Sequence, residues 1–313
     1  MKQRKLGNQG LIVSEIGYGA MGTAVGYGPT NDAQSVKAIR QAHEMGVTHF
    51  DTAHMYGWGE GEKLLGIALA PFRDKVTIAT KFGIADEQWN PDSSLQAMRK
   101  SVENSLQNLK IETIDVLYQH VHDPKIPVEE VIGEMQRFVE EGKVRYLGMS
   151  NSSTEMIKRA MKVAPISVYQ MEYSIFSRGV EAVLPYLREL GIGLVAYSPL
   201  ARGFLSGAVK PRDAYSSSDF RQWMAWWAPE NFSENVALAE ELNSIAESKG
   251  CKLSQLAIAW LLAKGGDIVP IPGSRSVERV AENIGSADIL LTSEDLIRID
   301  AIALNGAQGG IIG

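Results

Sequence analysis

The sequence has few of the features that mark secreted, membrane-spanning or disulfide-bonded proteins. Among its 313 residues Cys251 is the only cysteine, which excludes an internal disulfide and any cysteine-based metal or iron–sulfur site. No apolar stretch approaches the roughly 18 residues that a membrane helix needs, and no apolar core of signal-peptide length follows residues 1–5. We therefore expect a protein of a reducing compartment, the cytoplasm, without a membrane segment.

The chain also lacks clusters of like charge, since no run of five like charges occurs in it. The net charge is −6 and the isoelectric point is about 5.5, which argues against general binding to nucleic acid or to an anionic membrane. A local basic pocket remains compatible with these numbers. We expect a small molecule as the partner, and a monomer or weak homo-oligomer.

What the chain has in abundance is a regular alternation of strand-like and helix-like stretches. Eight such pairs without a break in composition predict a single domain over residues 1–313 with the α/β fold of a (β/α)8 TIM barrel. An N-terminal β-hairpin is predicted at 5–13 and an extra C-terminal helix at 292–304. A doubly wound open sheet is the alternative that strand counting leaves open. The predicted strands are 14–20, 47–53, 76–81, 114–120, 144–150, 167–173, 193–199 and 267–272, and the predicted helices are 32–45, 60–70, 91–109, 128–141, 153–163, 179–190, 234–249, 254–264 and 277–284.

Three consecutive predicted strands end on polar side chains. Asp51 ends the second, with Tyr56 five residues further on, Lys81 ends the third and His120 ends the fourth. Barrel enzymes carry their catalytic residues at the C-terminal ends of several strands, so this placement favours the barrel and brings the four side chains together.

These four residue types together could transfer a proton. A free phenol has a pKa of about 10, and a neighbouring ammonium favours the phenolate, so Lys81 is expected to lower the pKa of Tyr56 while Asp51 holds Lys81 in place. His120 could hydrogen-bond a carbonyl oxygen, which gains negative charge when hydride reduces the carbonyl. Each residue alone is more often structural, but four at adjacent strand ends favour catalysis.

Two motifs suggest other chemistry and are rejected. The glycines of residues 17–22 match G-x-G-x-x-G, but a loop rather than a helix follows, so we expect them to let a loop pass close to a ligand instead of forming a dinucleotide fold. His120 and His122 could form half of a metal site, as in barrel hydrolases. With His43 and His49 inside predicted elements and no acidic strand end to complete the ligand set, we predict no metal and place His122 in a loop.

Five segments, in this order, resemble the aldo-keto reductase superfamily over nearly the whole chain. The form of the third is similar to the branch related to potassium-channel β subunits and pyridoxal reductases. The segments are 51–57 (DTAHMYG), 79–81 (ATK), 114–120 (IDVLYQH), 142–151 (GKVRYLGMSN) and 271–283 (IPGSRSVERVAEN).

The resemblance implies a (β/α)8 barrel enzyme that uses NADPH/NADP+ to reduce a small-molecule aldehyde or ketone. Tyr56 would be the general acid, tuned by Lys81 and Asp51, and His120 would orient the carbonyl, favouring carbonyl over double-bond reduction. The implied cofactor contacts are Ser150, Asn151 and Gln170 at the carboxamide, Tyr197 on the nicotinamide ring, Ser198, Leu200, Arg202 and Gly203 at the pyrophosphate, Ser274, Arg275, Arg279, Glu282 and Asn283 at the adenosine end, with Gly22 and Gly273 beside them.

Physical reasoning supports part of this set. Arg275 and Arg279, four residues apart at a helix start, offer guanidinium forks for a 2′-phosphate, which favours NADPH over NADH. The aromatics of residues 200–233 have no motif behind them and fit either a packed cluster on the barrel or a substrate lid. With Trp58, Trp89 and the His54–Met55 pair they suggest an aromatic or sugar-like substrate. An NADP(H)-sensing regulatory or binding protein on the same fold is the alternative function, and a metal-dependent barrel hydrolase is the less favoured one.

Overall fold

Eight parallel strands in sequence order form the centre of the molecule. The computed structural model describes residues 1–310. An antiparallel hairpin, β1 (Gln3–Leu6) and β2 (Leu11–Ser14), precedes them. The parallel strands are β3 (Tyr18–Gly19), β4 (His49–Asp51), β5 (Thr77–Phe82), β6 (Ile114–Gln119), β7 (Val144–Ser150), β8 (Val168–Glu172), β9 (Gly193–Tyr197) and β10 (Ile268–Pro270).

The sheet closes on itself between its first and last strands, which confirms the predicted barrel. The Gly17 N–H donates to the Pro270 carbonyl at 2.9 Å, and the Gly19 N–H donates to the Pro272 carbonyl at 3.3 Å. A Cβ at Gly19 would lie 2.6 Å from the carbonyl oxygen of Ile271, far inside contact distance. The glycine-rich stretch after residue 16 is thus explained, at these two positions, by the close approach of β3 to its neighbour.

The hairpin closes the N-terminal end of the barrel. Leu6 is fully buried in one cluster with Val116, Val168 and Val195, whose side chains fill the barrel interior. A Cβ at Gly193 would lie 2.6 Å from Leu6, so the absence of a side chain there lets the hairpin seat. The polar residues predicted to carry the chemistry are therefore gathered at the opposite, C-terminal end.

Helices cover the outside of the barrel, and their bounds mostly follow the predictions. The described part of the chain, residues 1–310, contains no helix long and apolar enough to cross a membrane. The helices are α1 (Asp32–Glu44), α2 (Glu60–Leu69), α3 (Leu95–Leu109), α4 (Val128–Glu140), α5 (Thr154–Met161), α6 (Leu184–Leu190), α7 (Pro229–Ser248), α8 (Leu253–Ala263), α9 (Val277–Ile284) and α10 (Ser293–Ile302).

Three predicted helix starts were wrong, each for a local reason. The third helix begins only after Ser94, whose hydroxyl accepts from the Ala97 N–H, because residues 84–91 form a tight loop of their own. The sixth is interrupted after a 3-10 turn, since Pro185 has no N–H to continue it. The seventh starts at Pro229, whose fixed φ suits the first turn of a helix. The extra C-terminal helix is confirmed as α10, with a capping box between Thr292 and Asp295.

The segment between β9 and α7 contains two fully buried tryptophans that serve packing. The Trp227 ring lies 4.7 Å from the ring of Phe204, and the Trp226 ring lies 6.0 Å from that of Phe176. Each indole N–H donates to a backbone carbonyl, that of Gly310 for Trp226 at 2.8 Å. For these two residues the packed cluster, and not a mobile lid, is the correct interpretation.

Candidate active site

A tight turn after β4 carries Tyr56 to the mouth of the barrel. The Tyr56 N–H donates to the Ala53 carbonyl at 3.0 Å, and the Tyr56 carbonyl accepts from Gly61 N–H at 3.0 Å, at the start of α2. The side chain is buried, with only 8% of the residue exposed. Backbone bonds at both ends of the turn thus fix the phenol above the strand that ends in Asp51.

Asp51 and Lys81 form a buried ion pair directly below it. The Lys81 ammonium is hydrogen-bonded to the Asp51 carboxylate and also donates to the Thr52 carbonyl at 2.7 Å. The other carboxylate oxygen accepts from Gln170 Nε2 at 2.7 Å. Burial lowers the pKa of Lys81, and the charge of Asp51 opposes that shift. Because both charges are out of water, removing either partner would strand the other.

The electrostatics of Tyr56 differ from the sequence-based expectation. The Lys81 ammonium lies 5.2 Å from the centre of the Tyr56 ring, but its hydrogen bonds go to Asp51 and Thr52. Burial, followed by repulsion from Asp51, raises the pKa of Tyr56 above its ordinary value. The expected lowering by Lys81 was wrong, because desolvation of the phenolate outweighs a cation whose charge is already paired. Tyr56 is therefore a fully protonated phenol at neutral pH.

His120 completes this cluster from the end of β6. Its ring lies 6.1 Å from the Tyr56 ring in an edge-on arrangement, and the residue is only 6% exposed. Burial, and secondarily the charge of Lys81, holds the pKa of His120 well below its ordinary value. The imidazole is therefore neutral, with both a donor and an acceptor nitrogen available in principle.

Three of the residues predicted to bind nicotinamide lie together next to His120. Asn151 Nδ2 donates to Ser150 Oγ at 3.1 Å and to the His120 carbonyl at 3.2 Å, and its Oδ1 accepts from the Tyr197 hydroxyl at 3.0 Å. Asn151 also has a left-handed backbone, φ 51°. Gln170, predicted to join them, points to Asp51 instead, so it links the predicted nicotinamide residues to the ion pair.

The predicted pyrophosphate segment has an unusual backbone. Ala201, Arg202 and Gly203 are consecutive residues with positive φ, and Ser198 is another. The Ala201 N–H donates to the Ser198 carbonyl and the Gly203 N–H donates to the Leu200 carbonyl, both at 2.9 Å, so internal hydrogen bonds hold this turn. The Arg202 guanidinium is bonded to the buried Glu172 carboxylate at 3.0 Å, which fixes the segment above the end of β8. Leu200 lies at the beginning of the same turn.

The predicted adenosine site lies around the start of α9. The Arg275 guanidinium donates to backbone carbonyls of residues 27–29, at 2.9 Å to that of Tyr27, so the loop after Gly22 lies against it. Arg279 is solvent-exposed on the first turn of α9, and Ser274 precedes it, with its carbonyl bonded to Tyr18.

Three other predicted contacts lie in this region, and one of them, Glu282, already has protein partners. Glu282 is bonded to Ser254 and to Lys252, the latter at 2.6 Å, and Asn283 is buried. A Cβ at Gly273 would lie 2.2 Å from the Gly19 carbonyl, so this glycine is required where the barrel closes. Cofactor contacts at these positions stay predictions.

Sequence reasoning missed Glu62, a carboxylate that is fully buried behind the cluster. It accepts from Thr80 Oγ1 at 2.6 Å and from Asn108 Nδ2 at 3.0 Å, and His54 Nδ1 lies 3.4 Å away. These hydrogen bonds offset burial and lower the pKa of Glu62. A signal was present, since Glu62 shares a helical face with Leu65 and Leu69, where an apolar residue would be expected.

Within residues 1–310 no three His, Cys, Asp or Glu side chains are grouped so that they could hold a metal ion. His122 lies in the loop after β6, as predicted. The arrangement instead combines a neutral phenol, a neutral imidazole and a buried ion pair. It can donate a proton to an oxygen atom.

Comparison with known proteins agrees with this site. A model of the aldo/keto reductase family matches residues 15–304, and the chain therefore belongs to this family of oxidoreductases. A probable aldo-keto reductase 1 from Glycine max is 39% identical, with 98% of this chain and 90% of that protein covered.

Solved structures share the fold over nearly their whole length. A glycerol dehydrogenase from Gluconobacter oxydans superposes with a TM-score of 0.87 at 29% identity, covering 99% of this chain and 97% of the other. An aldo-keto reductase from Klebsiella pneumoniae, solved in complex with NADPH, gives 0.78 at 27% identity and covers 96% and 95% of the two chains.

Proposed function

We propose that this protein reduces the carbonyl group of a small aldehyde or ketone to an alcohol, with NADPH as the hydride donor. The observation that carries the proposal is the meeting of Tyr56, protonated through burial, with neutral His120 above the Asp51–Lys81 pair. Hydride addition to a carbonyl creates negative charge on oxygen, and a fixed phenol beside that oxygen can neutralise it.

The residues present fit NADPH. The exposed Arg279 guanidinium, beside Arg275 that holds the loop of residues 27–29, suits a 2′-phosphate. The grouping of Ser150, Asn151 and Tyr197 offers an amide, a hydroxyl and an aromatic face for nicotinamide. The Klebsiella relative that was solved with NADPH supports the same choice.

In the proposed reaction, NADPH would supply the hydride for the carbonyl carbon when bound. His120 donates a hydrogen bond to the carbonyl oxygen and orients it toward Tyr56. The Tyr56 hydroxyl gives its proton to that oxygen as the C–O π bond becomes a lone pair. The Lys81 ammonium, 5.2 Å from the ring, stabilises the phenolate that remains until solvent returns the proton. Asp51 keeps Lys81 charged and in position.

The test is transfer of a labelled hydride. The protein is incubated with a panel of aldehydes and ketones and with NADPH deuterated at both C4 positions, and the alcohols are analysed by mass spectrometry. We expect one deuterium on the carbinol carbon, with equimolar NADP+. If NADPH binds tightly, as measured by its fluorescence, and no carbonyl compound is reduced, the protein is an NADP(H)-binding protein and the proposal is contradicted.

A further inference from the structure

Glu62 on α2 is a fully buried carboxylate, and the proton transfer described above gives it no role. We propose that Glu62 is a positioning residue for Lys81, because it holds the backbone on both sides of the lysine and supplies a second negative charge that keeps the ammonium protonated. This inference rests on the proposed reductase function and extends it to a residue behind the proton donor.

Two contacts connect Glu62 to the backbone that carries Lys81. The Glu62 Oε1 atom accepts from the hydroxyl of Thr80, the residue that precedes Lys81 on β5, at 2.6 Å. The Oε2 atom lies 3.4 Å from His54 Nδ1, and the backbone N–H of His54 donates to the Lys81 carbonyl at 3.2 Å. Glu62 therefore holds both the residue before Lys81 and the residue that is bonded to its carbonyl.

The same carboxylate reaches the turn that carries Tyr56 and a neighbouring helix. The His54 carbonyl accepts from the Gly59 N–H at 2.8 Å, so His54 is part of that turn. Asn108 of α3 donates to Glu62 Oε2 at 3.0 Å. The turn that holds the phenol and the strand that holds the ammonium are therefore attached to one buried anion.

The place of Glu62 at the start of α2 does not explain these bonds. The helix dipole favours an acidic residue in the first turn, and such a residue often bonds back to the N-cap N–H. Both Glu62 oxygens instead face other elements, and within the described residues no side chain caps the start of this helix. Glu60, in the same turn, is exposed and is paired with Lys63 at 2.7 Å, as expected of a helix-start carboxylate.

Few charged groups surround the Lys81 ammonium. The titratable groups that face it are His49 and Asp51 on β4, Tyr56 after β4, Tyr118 and His120 at the end of β6, and Glu62 on α2. Burial raises the pKa of both tyrosines and lowers the pKa of both histidines, to about 4 for His49, so these four groups are neutral at pH 7. The Asp51 and Glu62 carboxylates are therefore the charges of this set that favour the ammonium.

The charge of Glu62 acts on Lys81 with little screening by water. Burial would raise the pKa of Glu62, but hydrogen bonds from four side chains lower it, so the carboxylate keeps its charge. Burial lowers the pKa of Lys81, and the charges of Asp51 and then of Glu62 oppose that shift. Charges interact strongly where water is excluded. If Glu62 were neutral, Lys81 should therefore lose its proton at a lower pH.

The experiment measures the acid dissociation constant of the Lys81 ammonium by NMR, in protein labelled with 13C at the lysine Cε carbons. The Lys81 signal is assigned by its loss in Lys81→Arg. We expect Glu62→Gln to raise this constant about tenfold, whereas Glu62→Asp, which keeps the charge and shortens the side chain, should change it less than about twofold. Glu60→Gln, the same change at the exposed carboxylate of the same turn, is the matched control and should leave the constant unchanged. Thermal unfolding verifies that each variant is folded.

The pH dependence of kcat for carbonyl reduction is the second readout. The charged Lys81 stabilises the phenolate of Tyr56, so kcat should decline on the alkaline side as Lys81 loses its proton. In Glu62→Gln this decline should begin about one pH unit lower than in the wild type and in Glu62→Asp. The double variant Glu62→Gln/Asn108→Asp, which places the charge on the hydrogen-bond partner, should restore part of the difference.

The outcomes separate this inference from the proposed function. An unchanged Lys81 dissociation constant in Glu62→Gln overturns the inference, whether or not the wild type reduces carbonyl compounds. Equal changes in Glu62→Gln and Glu62→Asp also overturn it, because they would show that Glu62 supports only the packing of the turn. A tenfold change that is confined to Glu62→Gln, in a protein that reduces no carbonyl compound, contradicts the proposed function and upholds the coupling of Glu62 to Lys81.

Discussion

The catalytic end of the barrel contains two regions that are held in place by opposite means. The proton-transfer cluster (Asp51, Tyr56, Lys81, His120) is almost completely buried, and its ion pair is held by internal hydrogen bonds. The tryptophan loops (residues 56–59 and 84–91) present exposed rings on strained backbone. Desolvation sets the protonation states in the cluster, whereas backbone geometry sets the position of the rings in the loops. Changes in the cluster should therefore affect stability and chemistry together.

The largest effect is expected from breaking the buried pair. Asp51→Asn leaves the Lys81 ammonium without a counter-charge, which should lower the free energy of unfolding by about 3–5 kcal/mol. Urea denaturation measures this. Asp86→Asn, the same change at an exposed carboxylate of the tryptophan loops, is the control. The double variant Asp51→Asn/Lys81→Met should recover part of the lost stability, because it also removes the unpaired charge. If the free energy of unfolding of Asp51→Asn lay within about 1 kcal/mol of the wild-type value, the account would be contradicted.

A second prediction concerns His49, which points into the barrel two residues before Asp51. Burial is the main cause that lowers the pKa of His49 to about 4, against an ordinary value of 6.5. Between these values the unfolded chain binds a proton that the folded chain does not. Stability is therefore intact above pH 6.5 and should fall by on the order of 3 kcal/mol as the pH drops to 4.

The measurement is the free energy of unfolding as a function of pH, for the wild type and for His49→Gln. The variant should lose the part of the slope that His49 causes, whatever its stability at neutral pH. His43, half-buried on α1, provides the matched control as His43→Gln. Identical slopes in the wild type and His49→Gln would show that His49 titrates normally in the folded protein.

The adenosine end extends the comparison to two further charges, the half-buried Arg275 and the exposed Arg279. Arg275→Ala and Arg279→Ala should each weaken NADPH binding by about 1.5–3 kcal/mol, the range for hydrogen bonds to charged groups, and leave NADH binding unchanged. Fluorescence titration of both cofactors measures this. Arg298→Ala, at an exposed arginine of α10, should change neither. Equal losses for NADPH and NADH would contradict recognition of the 2′-phosphate.

The smallest effect tests strain in the tryptophan loops. Trp89→Gly relieves a left-handed φ, whereas Trp223→Gly makes the same chemical change at an ordinary φ of −109°. We expect Trp89→Gly to be more stable than Trp223→Gly by about 1 kcal/mol in thermal unfolding, since only the first substitution removes strain. The reverse order would show that the Trp89 loop is not strained.

The comparison also explains what the sequence could and could not predict. Parallel strands place their C-terminal ends at one edge, so Asp51, Lys81 and His120 could be brought together from strand ends alone. The direction of the pKa shift of Tyr56 could not be predicted from the sequence, because it depends on how much water the folded barrel excludes. The partners of Gln170 and Glu282 could not be predicted either. The resemblance assigned both residues to a cofactor, whereas in the folded chain Gln170 is bonded to Asp51 and Glu282 is bonded to Lys252.

Some helix bounds could be predicted from the sequence and others could not. Regular helical periodicity predicted α1, α4 and α9 within a residue of their bounds, whereas the true start of α3 depended on the loop that Asp86 organises. Gly17 and Gly19 looked like part of a ligand-binding motif. Their actual neighbour is β10, which lies about 250 residues away in the chain and could not be identified from the local sequence. Contacts of that range have no signature within a single stretch of sequence.

The central claim is that Tyr56 donates the proton, and one variant tests it most directly. Tyr56→Phe removes a single oxygen and keeps the ring next to Lys81 and His120. We predict that kcat for carbonyl reduction falls by about a thousandfold while the Kd for NADPH, measured by fluorescence, changes less than about twofold. Tyr186→Phe, at a tyrosine that is 41% exposed on α6, should leave both values unchanged. If Tyr56→Phe kept more than about a tenth of the wild-type kcat, Tyr56 would not be the proton donor.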